Sequence, residues 1–463
     1  LPLIPCYTSP VSRRIPALVC ALLTLFALGF GKTALEGPAL WLQRYLQIDT
    51  TNPPGNEEQA AHFLGRILHQ EGIATQLIFG PHGRPSLYAR LEADKPTEGA
   101  LVLLHHMDVV PPGEGWSGDP FSGEIKNRLV WGRGAIDDKS LGVAHLTAFV
   151  ELNRRRIPLE RDVIFLAVPD EETGGTLGTG WLLEEHPELF SDVEVVLGEG
   201  GINRAFNGKH HWWGIEVAQK RPLWLKVTAY GRAGHGSKLN LHTAPHRLIR
   251  GLSRLVDKPL EFRVTPETRQ YLEAAAAFEG PFFKDLVARL DEIMAEPQPE
   301  KQLLPGLPNY FLDTIQVNVL EAGEKLNVAP EEASALIDIR LLPDTDDQEF
   351  LAKVQELLGK DLEVEVVLRA PPVSGSPTDS PFYRCMERFL GRRAAVIPAF
   401  IPGITDSRYF RERGIAAYGF SPFVLESNEV RGIHGPDERI PLETFEKGVE
   451  TTTELVVTCS GRD

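Results

Sequence analysis

Six side chains of metal-binding type occur along this chain at the ends of predicted strands or in loops. They are His106, Asp137, Glu171, Glu172, Glu199 and His434. Three of these positions follow the short apolar runs 100–104, 163–168 and 195–198, which are typical of buried strands. In an open α/β sheet, ligands bind beyond the carboxyl ends of the strands, so these spacings would gather the six groups in one cleft. Two imidazoles and several carboxylates without a cysteine favour a hydrolytic zinc site over a structural one.

The chemistry of such a site needs groups that hold metal and a group that moves a proton. Asp108 lies two residues after His106, on the same side of an extended segment, where it could orient the metal-bound imidazole. In the pair Glu171-Glu172, one carboxylate can bind metal while the other takes a proton from metal-bound water. Zinc lowers the pKa of that water to ~7, which makes a carboxylate an adequate base at neutral pH.

Position in the sequence also distinguishes two pairs of adjacent residues, Asp137 from Asp138 and His106 from His105. Asp137 stands in a glycine-rich turn before a predicted helix, and we favour it over Asp138 as a carboxylate that bridges two metals ~3.5–4 Å apart. Asp138 is expected to cap the helix or to form a local hydrogen bond. His105 should point away from His106 and is expected to be structural.

Composition and charge limit the class of protein. The 463 residues carry a formal net charge of −16 and no basic stripe, which argues against nucleic-acid binding.

Arg13 and Arg14 precede an uncharged apolar stretch that ends at residue 31. We interpret residues 1–31 as a signal peptide, or as a signal anchor if it is not cleaved, with a buried core helix as the alternative. The protein is therefore expected to be exported, either periplasmic or secreted, with a membrane tether as the second choice.

Of the four cysteines, two lie in this presumed signal segment and two, Cys385 and Cys459, lie far along the chain. These two could form one disulfide in an oxidising compartment, or they could remain two separate buried thiols.

The order of predicted elements indicates an α/β catalytic domain that is interrupted by a smaller domain. Strand-like and helical stretches alternate from residue 87 to residue 197, which predicts a doubly wound, mostly parallel sheet. From residue 222 to residue 368 the order is β-α-β-β-α-β, that of a ferredoxin-like module, with an insertion at about 265–309. We predict catalytic segments at 36–220 and 371–460, and an inserted ferredoxin-like lid or dimerisation domain at 221–370.

Several motifs in the same order resemble those of the M20 family of metallopeptidases. They occupy residues 106–111, 131–139, 170–175, 198–201, 234–237 and 432–436. The resemblance extends from about residue 40 to residue 457, and segments 198–201 and 403–408 are most similar to the carboxypeptidase S and N-acyl-amino-acid hydrolase branch. One departure is His105, where the family usually has glycine, and this histidine could crowd the strand end or bind metal.

The resemblance implies a site with two zinc ions, with cobalt or manganese as alternatives. One ion would be held by His106, Asp137 and Glu199, and the other by Asp137, Glu172 and His434. It also implies that Glu171 is the general base and that Asp108 orients His106.

The resemblance further implies that the inserted domain forms a homodimer. A histidine matching His235 often reaches the partner's active site, where it would polarise the scissile carbonyl. Asn327 and Arg340 match positions that often contact the substrate carboxylate or carbonyl oxygen, and a guanidinium suits a carboxylate well.

The predicted reaction is hydrolysis of an amide bond next to a free carboxylate, in a peptide or an N-acyl amino acid. Metal-bound water attacks, and Glu171 transfers its proton to the leaving amine. A dipeptidase and an acetylornithine-type deacylase are alternatives within the same chemistry, because a fold does not set side-chain preference. A catalytically silent peptide-binding protein is the alternative from another class, but all six metal-site and base residues are present.

Overall fold

The computed structural model describes residues 37–206, 209–426 and 429–462. They form two main sheets with helices packed against them, a two-stranded ribbon and a small three-stranded sheet. The predicted signal segment 1–31 lies outside these residues. None of the described helices is long and apolar enough to cross a membrane. The helices are α1 Pro38–Leu46, α2 Glu57–Gln70, α3 Lys139–Arg155, α4 Trp181–Glu185, α5 Ala244–Val256, α6 Pro266–Ala276, α7 Pro281–Ala288, α8 Leu290–Met294, α9 Asp347–Leu358, α10 Pro381–Leu390, α11 Ser407–Arg411 and α12 Leu442–Ser460.

The strands are β1 Thr75–Phe79, β2 Pro85–Leu91, β3 Ala100–His106, β4 Ile125–Lys126, β5 Leu129–Trp131, β6 Val163–Val168, β7 Val193–Gly198, β8 Ile202–Phe206, β9 Lys209–Gln219, β10 Arg221–Tyr230, β11 Gly234–His235, β12 Thr314–Ala322, β13 Val328–Ala329, β14 Glu332–Leu341, β15 Leu362–Arg369, β16 Ala395–Ile401, β17 Ala416–Gly419 and β18 Arg439–Pro441.

The larger sheet has the strand order β1-β2-β6-β3-β7-β17-β9-β16, with β8 paired to β9. Its central strands β6, β3, β7 and β17 run parallel, while β1 and β2 add an antiparallel edge. Every residue of β3 and β6 is buried, as expected for apolar strands that are covered by helices on both faces. The predicted α/β class with a mostly parallel sheet is confirmed.

The smaller sheet is antiparallel throughout and has the order β12-β14-β10-β15. Apolar side chains of α5 and α9, among them Leu248, Leu255 and Val354, form one buried cluster with the inner residues of this sheet. The order of strands and the two helices are those of the ferredoxin-like module that the sequence predicts.

The segment between α5 and β12 belongs to a different core from its flanking elements. Tyr271 and Leu272 of α6 and Leu290 of α8 are buried in the cluster of the larger sheet, together with Trp212 and Phe400. The chain therefore leaves the smaller sheet after α5, packs three helices on the larger one, and returns at β12.

Cys385 of α10 and Cys459 of α12 form a disulfide, with their Cα atoms 5.8 Å apart. The two cysteines are therefore paired, which decides between the two alternatives that the sequence leaves open. The bond joins two helices that both contribute to the core of the larger sheet.

Candidate metal centre

The carboxyl ends of the parallel strands bring the predicted metal ligands together. His106 ends β3, Glu171-Glu172 stands in a 3₁₀ turn after β6, and Glu199 directly follows β7. Because β6, β3 and β7 are parallel neighbours, these groups lie at one edge of the sheet. The loop before α3 adds Asp137, and the loop before β18 adds His434.

Asp137 lies between the two imidazoles. Its Oδ1 is 3.1 Å from Nε2 of His106, and its Oδ2 is 3.1 Å from Nε2 of His434. A further carboxylate accompanies each histidine: Glu199 lies 3.7 Å from His106, and Glu172 lies 3.3 Å from His434. One carboxylate with its two oxygens facing two separate imidazole-carboxylate pairs has the arrangement that a bridging ligand requires.

Asp108 supports the turn that carries the two glutamates. Its buried carboxylate accepts hydrogen bonds from the backbone N–H groups of Glu171 and Glu172, both at 3.2 Å, and from the Asn52 amide at 2.8 Å. Nδ1 of His106 lies 2.9 Å from the backbone carbonyl oxygen of Asp108 and 3.6 Å from its carboxylate. The carbonyl is thus the hydrogen-bond partner of the imidazole, and the carboxylate fixes the Glu171-Glu172 turn.

Glu438 joins the two loops that carry Asp137 and His434. Its Oε1 accepts hydrogen bonds from the backbone N–H groups of Ile136 at 2.7 Å and Asp137 at 3.1 Å. Its Oε2 accepts from the Gly134 N–H at 3.0 Å and from the Arg133 guanidinium at 2.6 Å. The sequence alone does not single out Glu438, because an acid in a loop is usually solvated.

Burial and mutual repulsion raise the pKa of several acids in this cluster. Burial and the nearby Asp137 raise the pKa of Glu172 to about 7. Burial, then repulsion from Glu199, raises the pKa of Glu171 well above its ordinary value. The site as described therefore contains more acidic groups than its imidazoles can balance, a condition that bound cations would relieve.

Unpartnered buried oxygens also fit a metal. Oε1 of Glu199 and Oδ2 of Asp138 are buried without a hydrogen-bond partner among the described residues. Burying such an atom costs free energy unless it binds an ion or another polar group. The ligand atoms of His106, Asp137 and Glu172 lie within 4.8 Å of one another, as do those of His106, Asp138 and Glu199. The nitrogen and oxygen donor set suits a divalent transition metal such as zinc.

Asp138 differs from the sequence expectation. It occupies the N-cap position of α3, but its side chain makes no capping hydrogen bond. Its carboxylate instead joins the group formed by His106 and Glu199. Spacing could not reveal this, because adjacent residues in a turn point in directions that only the backbone conformation fixes.

His105 is a buried structural residue. Its ring packs against Phe165 and lies 3.4 Å from the Tyr45 hydroxyl. A Cβ atom on Gly142 would come within 2.3 Å of this imidazole, so the glycine in α3 makes room for it. The departure at this position is accommodated on the face of β3 away from the candidate ligands.

The remaining predicted residues lie on the inserted domain. His235 is exposed in β11, which pairs with β13, and the Gly236 N–H donates to the Asn327 carbonyl at 2.8 Å. His235 lines a cavity of about 1130 Å³, and none of the candidate metal ligands is among its described lining residues. Arg340 of β14 pairs with Asp338 at 3.0 Å. The structure brings His235 close to Asn327 but not to the metal cluster.

Comparison with known proteins agrees with this arrangement. The pattern of the family described as Peptidase family M20/M25/M40 matches residues 102–458. Aminoacylase-1 of Sus scrofa is 28% identical, over 91% of this chain and 95% of that protein. The N-fatty-acyl-amino acid synthase/hydrolase PM20D1 of Xenopus tropicalis is 29% identical, over 77% of this chain and 71% of that protein.

A solved structure shares the fold. The M20 family metallo-carboxypeptidase Sso-CP2 of Sulfolobus solfataricus superposes with a TM-score of 0.70 at 20% identity. The match covers 92% of this chain and 99% of that one. The family match spans most of the chain, and the candidate ligands meet in one cluster at the end of the larger sheet. The chain belongs to the M20 family of metallopeptidases and is a hydrolytic enzyme.

Proposed function

We propose that this enzyme uses two divalent metal ions to hydrolyse an amide bond next to a free carboxylate. The observation that carries the proposal is Asp137, whose two oxygens face His106 and His434 at 3.1 Å each. Similarity to an aminoacylase and to an N-acyl-amino-acid hydrolase supports an N-acyl amino acid as the substrate. A peptide with a free C-terminus is the second substrate class.

Each ion would be held by one imidazole and by carboxylates. Asp137 would bridge, with His106 and Glu199 on one side and His434 and Glu172 on the other. When bound, two zinc ions would lower the pKa of a coordinated water and polarise the substrate carbonyl. Cobalt or manganese could serve in the same donor set.

Glu171 is the proposed proton carrier. Asp108 holds its backbone N–H, and its neighbour Glu172 is committed to His434, so the Glu171 carboxylate is left to act on water. Glu171 takes a proton as water adds to the acyl carbon, and it gives that proton to the nitrogen as the C–N bond breaks. The products are a carboxylic acid and an amino acid with a free amine.

His235 is proposed to act in the active site of a second copy of the chain. It is exposed in its own chain, and the exposed apolar side chains of Leu239, Leu326 and Val328 surround it. Such a patch is typical of a protein interface. In a homodimer formed through the inserted domain, this imidazole would stabilise the oxyanion, and Arg340 would hold the substrate carboxylate.

Export is also proposed. The disulfide between Cys385 and Cys459 supports it, because such bonds persist mainly in oxidising compartments. Cell fractionation and N-terminal sequencing of the mature chain would test whether residues 1–31 are removed.

The proposed reaction is tested with a mixed panel of N-acyl amino acids, dipeptides and longer peptides. Products are identified by mass spectrometry before chelation, after chelation, and after addition of zinc, cobalt or manganese. We expect chelator-sensitive release of an amino acid that carries a free carboxylate. Turnover that survives full removal of metal, or none in any metal, would contradict the proposal.

A further inference from the structure

A cavity of about 760 Å³ includes part of the candidate metal cluster, and none of its described lining residues belongs to the smaller sheet. Asp137 and Glu199 line one end, and Phe282 of α7 lines another part. Pockets of this size enclose most of a ligand as large as a drug molecule. An acyl group as small as acetyl would leave most of the volume unused.

The walls of this cavity are predominantly apolar and aromatic. Trp212, Tyr271 and Phe423 are lining residues that are themselves almost completely buried. Phe282 is 65% exposed and Leu304 is 37% exposed, although both also line the cavity. The deep wall is thus part of the core, while large apolar side chains remain uncovered towards solvent, where an apolar ligand would cover them.

Among the described residues, the cavity wall holds no unpaired cation that could bind a substrate carboxylate. Its described lining residues include four acids, Asp137, Asp138, Glu199 and Glu279, and one cation, Arg204. Nε of Arg204 lies 3.2 Å from Oε1 of Glu279, so that cation is already paired. Bound metal ions would balance the acids at the metal end, so beyond that end the described lining residues offer no unpaired cation to a substrate carboxylate. The cavity therefore suits the other half of the molecule, the acyl group.

We propose that this cavity selects N-acyl amino acids that carry a long, apolar acyl chain. The inference rests on the proposed amide hydrolysis, to which it adds the substrate class. Two segments supply the selective wall: the segment between α5 and β12, through Tyr271, Phe282 and Leu304, and the loop after β17, through Phe423.

The first measurement compares the N-acetyl, N-octanoyl, N-dodecanoyl and N-palmitoyl derivatives of the same amino acid. We expect kcat/KM to rise by roughly threefold to fourfold for each added methylene until the cavity is filled, because each buried methylene contributes a constant increment. Acetyl substrate that is hydrolysed as well as dodecanoyl substrate, or better, would overturn the proposal.

A matched pair of variants locates the effect. Phe282→Glu places a charge in the cavity at an exposed position, and Phe79→Glu makes the same change on β1, at a residue that is 51% exposed and outside the cavity lining. We expect Phe282→Glu to reduce the dodecanoyl-to-acetyl ratio of kcat/KM at least about tenfold, and Phe79→Glu to leave that ratio unchanged. An unchanged ratio in Phe282→Glu would remove Phe282 and its cavity from substrate selection.

Binding without turnover separates the two proposals. N-dodecanoyl and N-acetyl derivatives are titrated calorimetrically into zinc-loaded Glu171→Gln, with and without Phe282→Glu. Tight dodecanoyl binding that Phe282→Glu abolishes, in a protein whose wild type hydrolyses nothing, would support the cavity assignment and refute the proposed hydrolysis. Hydrolysis and binding that are independent of chain length would refute the cavity assignment and leave the hydrolysis standing.

Discussion

The metal cluster and the β11-β13 ribbon carry predicted site residues in opposite environments. At the cluster, Asp108 holds the Glu171-Glu172 turn, and Glu438 holds the loop of Asp137 through four hydrogen bonds. On the ribbon, His235 is exposed and its strand pairs through two residues only. The difference indicates that the fold preorganises its metal ligands. The ribbon instead presents an exposed histidine, which on our proposal acts in the active site of a second copy.

Glu171→Gln should give the largest effect. The amide keeps the size of the side chain but cannot accept the proton, so we expect kcat to fall about 10³-fold. Metal content by mass spectrometry and the free energy of unfolding should stay at wild-type values. Glu172→Gln is the matched control and should lose metal as well as activity. If Glu171→Gln kept kcat within about tenfold of wild type, the base would have to be another group.

His235→Ala tests the ribbon and should have the next largest effect. Loss of one oxyanion donor should lower kcat about 10²-fold, while an exposed side chain contributes little to folding, so stability and metal content should not change. Mixing His235→Ala with Glu171→Gln and allowing subunits to exchange should restore activity, because one site of the mixed dimer then receives both intact groups.

The mixing experiment can also contradict the proposed role of His235 in a second copy of the chain. If His235→Ala is impaired and mixing restores nothing, the histidine acts within its own chain. If light scattering finds only monomers with full activity, the ribbon is not completed by a second copy.

Glu438→Gln should have the smallest of the three effects. The amide replaces one acceptor oxygen with a donor that faces backbone N–H groups or Arg133, so the loop of Asp137 should lose its fixed position. We expect metal affinity to fall 10- to 100-fold, as for other partners of metal ligands, measured by competition with a chromogenic chelator. Glu443→Gln, an exposed acid a few residues away, is the control and should bind metal normally. Equal affinities in both variants would mean that Glu438 does not position the site.

The sequence predicted the elements whose patterns are strong and local. Continuous apolar runs identified β3, β6 and β7, and because parallel neighbours end at one edge, the ligands after them could be placed together. The order of elements from residue 222 to residue 368 was sufficient to predict the ferredoxin-like arrangement of the smaller sheet. In contrast, β9 was not identified, because Gly214 and Glu216 interrupt its apolar run although the strand is buried from Trp212 onward.

The supporting contacts could not be predicted for a different reason. Glu438 lies about 300 positions from the N–H groups that it accepts from, and Asn52 reaches Asp108 across 56 positions. No local period links such pairs, so their positions depend on the completed fold. The environment of Asp138 also depends on the completed fold, through the backbone of a single turn.

The helices between α5 and β12 limit how this gene can be divided. Although residues 221–370 are continuous in sequence, cutting them out would remove Tyr271, Leu272, Leu290 and Phe311 from the core of the larger sheet. Each such side chain contributes about 1.5–3 kcal/mol when buried, and their sum approaches the whole stability of a typical domain, about 5–15 kcal/mol. The smaller domain could therefore not be exchanged between relatives as one cassette. A viable graft would have to join two separate pieces and leave the intervening helices with the recipient enzyme.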